Sequence, residues 1–318
     1  TELINGKIHY IKKHENYNLI SGLDFQNRKI ISLDRGNHTD NYLGGFVKLI
    51  KTWDKFTINP SLRLDYNASY NTQITPQIDI NYHSKNYILR ACIGRGIRSA
   101  DFTERFYNNN YLDTLSEGRN IGNPNLNAEQ SINYELGIDY NKNKHFSIKS
   151  TMFYRNSTNL IDWVLMNSND ITTNISLYPD MYYLYAQNIS KLKTLGFETE
   201  LWLNSIKISS ISVNGSIGYT KLFNGETFKT MFDSNQSIVS KYLFNSSGDR
   251  LNYNLFLNYG NLGVNLSGLL KVRESDFNSV IEQELKQSYF VQNINIKYNI
   301  TNNISCGIEM INLFNEEY

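Results

Sequence analysis

Glu129-Gln130-Ser131-Ile132-Asn133-Tyr134-Glu135-Leu136-Gly137-Ile138-Asp139-Tyr140 carries a strict period of two. Ile132, Tyr134, Leu136, Ile138 and Tyr140 fall on one face of an extended strand, and Ser131, Asn133, Glu135, Gly137 and Asp139 on the other. One face suits hydrocarbon and the other suits water. The same alternation runs through 58–66, 74–82, 251–259, 262–272 and 290–298, each long enough to cross a bilayer as a tilted strand. Fourteen such stretches are read along the chain.

Composition agrees. Hydrophobic residues make up 40% and aromatics 13% of the 318 residues, with 23 Tyr and 16 Phe. No run approaches the eighteen or so apolar residues of a helical span. A net charge of +1 gives no reason to expect nucleic acid. Cys92 and Cys306 sit far apart and are expected as free thiols. The start, Thr1-Glu2-Leu3-Ile4-Asn5-Gly6, is strand-like and lacks a basic stretch followed by an apolar block. The expectation is therefore an internal start within a longer exported parent.

Connections alternate in length. Brief polar turns are read at His14 to Asn16, Thr52 to Asp54, His83 to Lys85, Asn141 to Lys144, Asn204 to Lys207, Gly260-Asn261 and Asn299 to Asn303. Between them stand Arg28 to His38, Asn67 to Asn71, Ser99 to Ala128, Met166 to Met181, Phe223 to Ser246 and Glu274 to Lys286, most of them much longer. Outer-membrane barrels keep periplasmic turns tight and let extracellular loops grow, so the long set is expected to face outward. Tyr10, Tyr82, Tyr140, Tyr259 and Tyr298 end the lipid phase beside short turns, where a phenol ring sits in hydrocarbon and its hydroxyl among headgroups. The expected fold is an all-β, antiparallel transmembrane β-barrel wall.

Four blocks then carry a resemblance. Gly94-Arg95-Gly96-Ile97-Arg98-Ser99-Ala100-Asp101-Phe102-Thr103-Glu104-Arg105-Phe106-Tyr107 is followed by Gly122-Asn123-Pro124-Asn125-Leu126-Asn127-Ala128-Glu129. Next come Asn159-Leu160-Ile161-Asp162-Trp163, then Asn188 to Glu198 with Gly196, then Ile311-Asn312-Leu313-Phe314-Asn315-Glu316-Glu317-Tyr318. In order and spacing these resemble the barrel of TonB-dependent outer-membrane receptors, and the tyrosine-bearing strand after "NLID" and the Leu313-Phe314-Asn315 ending look most like the vitamin B12 receptor branch. The resemblance implies that residues 1–318 are about fourteen strands, the eighth through the twenty-first, of a twenty-two-strand barrel. Plug, energy-coupling box, early strands and closing strand would lie elsewhere, leaving an incomplete, open wall. It further implies active import of a scarce bulky solute, cobalamin or an iron-siderophore or haem, driven through TonB. A passive porin-like barrel is the alternative.

The loops supply the candidate contacts. Tyr107, Asn109, Tyr111 and Arg119 occupy one long connection, and Trp163, Tyr178, Tyr182 and Tyr183 flank the next. Rings and carboxamides suit a bulky, polar, ring-rich cargo, although Trp163, Tyr182 and Tyr183 equally suit an aromatic girdle. Asp101, Glu104, Asp113 and Glu117 match no ordered calcium loop and read as a solvated acidic loop. His38 alone of five histidines reaches a long connection, which argues against capture of haem by loop histidines. No catalytic arrangement and no cofactor are expected. Gly196 is expected to allow strand coiling or close approach of a lumen element.

Overall fold

The computed structural model describes residues 1–225, 248–273, 277–278, 283–284 and 286–317. Strands β1 (Glu2–His14), β2 (Tyr17–Ser32), β3 (Gly36–Trp53), β4 (Phe56–Asn67), β5 (Asn71–His83) and β6 (Tyr87–Arg98) form antiparallel hairpins in chain order. A connection holding helix α1 (Phe102–Phe106) and the short strand β7 (Asn120–Ile121) leads to β8 (Glu129–Asn143). There follow β9 (Phe146–Asn167), β10 (Tyr182–Ile208), β11 (Ile211–Gly225), β12 (Gly248–Tyr259) and β13 (Leu262–Arg273). A detached ribbon, β14 (Phe277–Asn278) with β15 (Gln283–Glu284), precedes β16 (Ser288–Asn299) and β17 (Ser305–Met310). Fourteen strands make one continuous path from β1 to β17, as the alternation predicts, with β7 added alongside β10. Among the described residues the wall is open, because β1 pairs there with β2 alone and β17 with β16 alone.

The alternation plays out inside-out. Leu136 is 65% exposed, and Ile132, Tyr134 and Ile138 are exposed beside it, while Ser131, Asn133, Gly137 and Asp139 are half-buried. Tyr10, Tyr140, Tyr259 and Tyr298 are exposed as well, so no second layer covers them. The opposite face carries the charges. Arg63 bridges Asp24 and Asp65 at 2.8 Å each and donates to the Tyr42 hydroxyl, across β2, β3 and β4. Arg90 bonds Asp139 at 2.9 Å and Thr151 at 3.1 Å, across β6, β8 and β9. A hydrated inner face and a bare apolar outer face are what a barrel wall in lipid requires.

Two glycines show how the inner face packs. A Cβ on Gly196 would lie 2.1 Å from the Phe153 ring of β9, so the close neighbour that glycine admits is a side chain of the adjacent strand. A Cβ on Gly137 would meet the Arg90 guanidinium at 2.7 Å. The seam between β5 and β6 is also filled by a side chain. Its ladder stops at Gln77 opposite Gly94, and Arg95 reaches across to donate to Ile74 O (2.9 Å) and Gln73 Oε1 (3.0 Å).

Two expected connections differ. Arg28 to His38 is no long loop, since β2 and β3 stay paired to Ser32 and Gly36 and turn through Leu33-Asp34-Arg35. Beyond the bilayer both faces of this hairpin are wet, so apolar alternation fades while the ladder continues. The turn expected at Asn204 to Lys207 is a bulge between Leu203 and Ile206, and the chain reverses at Ser209-Ser210, with Ser209 at φ 54°. The long connections expected at 223–246 and 274–286 fall mostly outside the described residues, as does Tyr318.

Candidate ligand-binding vestibule

Residues 99–128 fold back over the inner side of the wall, held by one arginine. The Arg98 guanidinium donates to both oxygens of Glu104 at 2.9 Å and to both oxygens of Glu129 at 2.7 and 2.6 Å. Glu129 also accepts the Ile161 amide at 2.8 Å, tying in β9. Glu104 in turn closes a capping box with Asp101 at the start of α1. These two acids therefore serve the loop's own architecture. Among the described residues no group of three or more His, Cys, Asp and Glu side chains is placed to hold a metal ion.

The Gly122-Asn123-Pro124 block locks the loop from the other side. A Cβ on Gly122 would fall 2.5 Å from the amide nitrogens of Phe106 and Tyr107. The Gly122 amide donates to Tyr107 O (2.8 Å) and the Asn123 amide to Glu104 O (2.9 Å). Asn188 completes the lock, exchanging two hydrogen bonds with the Asn127 backbone at 2.8 and 3.0 Å. Arg98→Gln is expected to leave two half-buried carboxylates facing one another, costing about 2 kcal/mol of loop stability. Limited trypsin digestion should then cut near Arg105 or Arg119 severalfold faster, while the barrel keeps its heat-modifiable migration.

Above the wall the β9–β10 ribbon carries an apolar cluster on each face. Leu115, Ile121, Val164, Met166, Ile175, Tyr183 and Tyr185 form one, and Ala100, Leu126, Ile161, Trp163 and Ala186 the other. Tyr183 is 0% and Trp163 5% exposed, so neither ring faces lipid or an open surface. The Tyr183 hydroxyl donates to Leu115 O at 2.8 Å and accepts the Tyr178 amide at 3.1 Å. Outside the bilayer a ribbon needs cover on both sides, and the two long connections provide it.

A cleft of about 470 Å³ opens between the β2–β3 tip, α1 and the connection after β9. Arg35, His38, Phe106, Asn109, Asn110, Asn125 and Thr172 to Asn174 line it. The His38 ring stacks on Phe106 with centroids 3.5 Å apart, and its Nε2 donates to Arg35 O at 2.7 Å. The Arg35 guanidinium, which lines the cleft, lies over Tyr107 (5.1 Å), and outside the lining Arg28 lies over Phe102 (5.6 Å) and Arg105 over Phe106 (4.7 Å). Arg28 is paired with Asp40 at 2.6 Å. Burial, with Arg28 as a lesser cause, holds the Arg105 guanidinium below its ordinary pKa against the pull of Asp40. Stacked cations and carboxamides can take an anionic, ring-bearing ligand.

Of the residues singled out by sequence, Asn109 comes to this cleft, and Tyr107 lies under the Arg35 guanidinium that lines it. Asn109 lines it and donates to Arg105 O (2.9 Å) and Gly122 O (3.3 Å). Tyr111, Arg119, Tyr178 and Tyr182 are exposed, and Trp163 and Tyr183 are interior. Sequence reasoning missed Arg35, Phe106, Asn125 and Thr172 to Asn174, whose convergence is purely tertiary.

A family model described as "TonB dependent receptor-like, beta-barrel" matches residues 5–313. The chain belongs to this family. This TonB-dependent receptor barrel is 25% identical over 275 residues to the iron-regulated outer membrane virulence protein of Vibrio cholerae, covering 83% of the chain and 39% of that relative. It superimposes on the siderophore receptor PirA of Pseudomonas aeruginosa with a TM-score of 0.67 at 17% identity, over 98% of the chain and 51% of PirA. The ferric enterobactin receptor PfeA of the same species, as the Q482A mutant in complex with enterobactin, gives a TM-score of 0.70 at 16% identity, over 98% of the chain and 48% of PfeA. The chain thus spans well under half of its curated relatives and about half of these structures. It is a bacterial outer-membrane protein, in a family of receptors for transport.

Proposed function

We propose that residues 1–318 form the barrel wall of an outer-membrane receptor that imports a ferric-siderophore-type chelate, with opening driven by TonB through a plug outside this segment. The vestibule carries the reading. The Arg35 guanidinium, the stacked His38 and Phe106 rings and the carboxamides of Asn109, Asn110 and Asn125 suit an anionic chelate with aromatic edges better than a neutral solute. The iron-regulated relative and the siderophore receptors of like fold support the same cargo class. These relatives lend no weight to cobalamin, the first expectation from sequence, which stands as the competing cargo.

Binding to the complete, detergent-solubilised receptor tests this. A ferric catecholate chelate is expected to quench intrinsic fluorescence saturably, and Arg35→Ala to weaken it about tenfold or more, the worth of one charge-assisted contact. Saturable cobalamin binding with no response to ferric chelates would reject the proposal. Uptake by cells that persists without TonB would favour a passive pore.

A further inference from the structure

The short-turn rim of the wall is unevenly charged. Lys12 and Lys51 lie on the lipid-facing side of β1 and β3, in phase with Tyr10 and Trp53, and Lys55, Lys85 and Lys144 sit in the next three turns. All five are exposed, and the lysine ion pairs among the described residues belong instead to Lys29, Lys221 and Lys286. Across the first four short turns the carboxylates are Glu15 and Asp54, while the turns at 209–210, 260–261 and 300–304 carry no charge. The cations thus form an arc along one half of the rim.

The arc is built upon rings and held by the backbone. Trp53, Phe56, Tyr82 and Tyr87 follow one another with centroids 6.3, 5.1 and 6.2 Å apart, and Tyr87 pairs across the ladder with Tyr140. Neighbouring turns are stitched together. His83 N donates to Lys55 O (2.7 Å), Asn141 N to Asn86 O (2.7 Å) and Asn204 N to His145 O (2.9 Å). Rings fix the depth of the hydrocarbon boundary, and lysines just beyond it reach headgroup phosphates with their stems along apolar surface.

We propose that this arc binds anionic phospholipid headgroups, seating one side of the barrel on phosphatidylglycerol-type lipids of the leaflet that meets the short turns. Zwitterionic lipids present the same phosphate with a compensating amine, so the arc discriminates by net charge. On the orientation read from the long connections, this is the periplasmic leaflet.

Trp53 reports on the site directly. The full-length receptor is placed in phosphatidylcholine bilayers with increments of brominated phosphatidylglycerol or brominated phosphatidylcholine, and the Trp53 signal is taken as the difference from Trp53→Phe. Phosphatidylglycerol is expected to be enriched about fivefold over phosphatidylcholine at low salt, the effect of one lysine at a charged interface. The enrichment should fall towards one at about 0.5 M salt and in a combined Lys51→Gln, Lys55→Gln, Lys85→Gln variant. Millimolar glycerol phosphate should leave it unchanged. Equal quenching by both lipids at low salt, a preference surviving in the triple variant, or displacement by the soluble phosphate would each overturn the proposal.

Discussion

Leu136→Arg is expected to lower the unfolding free energy of the receptor in phospholipid vesicles by about 2–4 kcal/mol, whereas Glu135→Arg, one position along, should change it by less than about 0.5 kcal/mol. Leu136 is the most exposed apolar side chain on the outer face of β8, near the middle of its stretch of alternation. A guanidinium there must lie in hydrocarbon or drag water to it. Glu135 points to the hydrated face, where it lines a wet pocket with Arg90, itself paired with Asp139, and charge there is solvated. Urea titration of refolding into vesicles reads both variants. Equal penalties at the two positions would mean that the faces are not segregated between lipid and water.

Trp163→Ala carries the second large effect. Removing this ring empties the cluster formed with Ala100, Leu126, Ile161 and Ala186, which costs about 3–5 kcal/mol for a buried aromatic. The loss is local, because the wall below is held by its own ladders. Residues 99–128 should lose amide protection while β8 and β13 keep theirs, as hydrogen exchange can show. Tyr182→Ala, at an exposed ring, is expected to leave that protection within about 0.5 kcal/mol of the starting value. Unchanged protection in Trp163→Ala would remove Trp163 from the structural core of the vestibule.

The strands were legible because a bilayer imposes one rule on every residue that crosses it. Ile132 to Tyr140 must alternate, and so must Leu251 to Tyr259, and the two-residue turns at Asp54-Lys55 and Gly260-Asn261 carry residues at φ 46° and 54° that suit tight reversal. The rule lapses outside the membrane. The β2–β3 tip lost its apolar signature at Arg28, yet Arg28 to Asp40 and Asn27 to Asn41 contacts continue the ladder there. Asn204-Ser205 looked like a turn because its polar pair forms a bulge instead.

The vestibule was less legible, for a different reason. Arg98, Glu104, Gly122 and Glu129 stand in the blocks that carry the family resemblance, and each has a contact that explains its presence. Arg35, His38 and Thr172 to Asn174 are brought together by packing between connections far apart in the chain, which no local pattern announces. Trp163 and Tyr183 satisfied the composition of a girdle or of a ligand surface equally well. Their burial follows from the cover that residues 99–128 give to both faces of the β9–β10 ribbon, a tertiary fact.

Spin-label accessibility along β8 tests the wall most directly. Single cysteines from Gln130 to Ile138, on a background with Cys92 and Cys306 replaced by serine, would be labelled in the complete receptor in bilayers. Oxygen accessibility should peak at 132, 134, 136 and 138 and fall at 131, 133, 135 and 137, a period of two along the whole strand. Flat accessibility, or oxygen excluded from both sets, would contradict a lipid-facing wall.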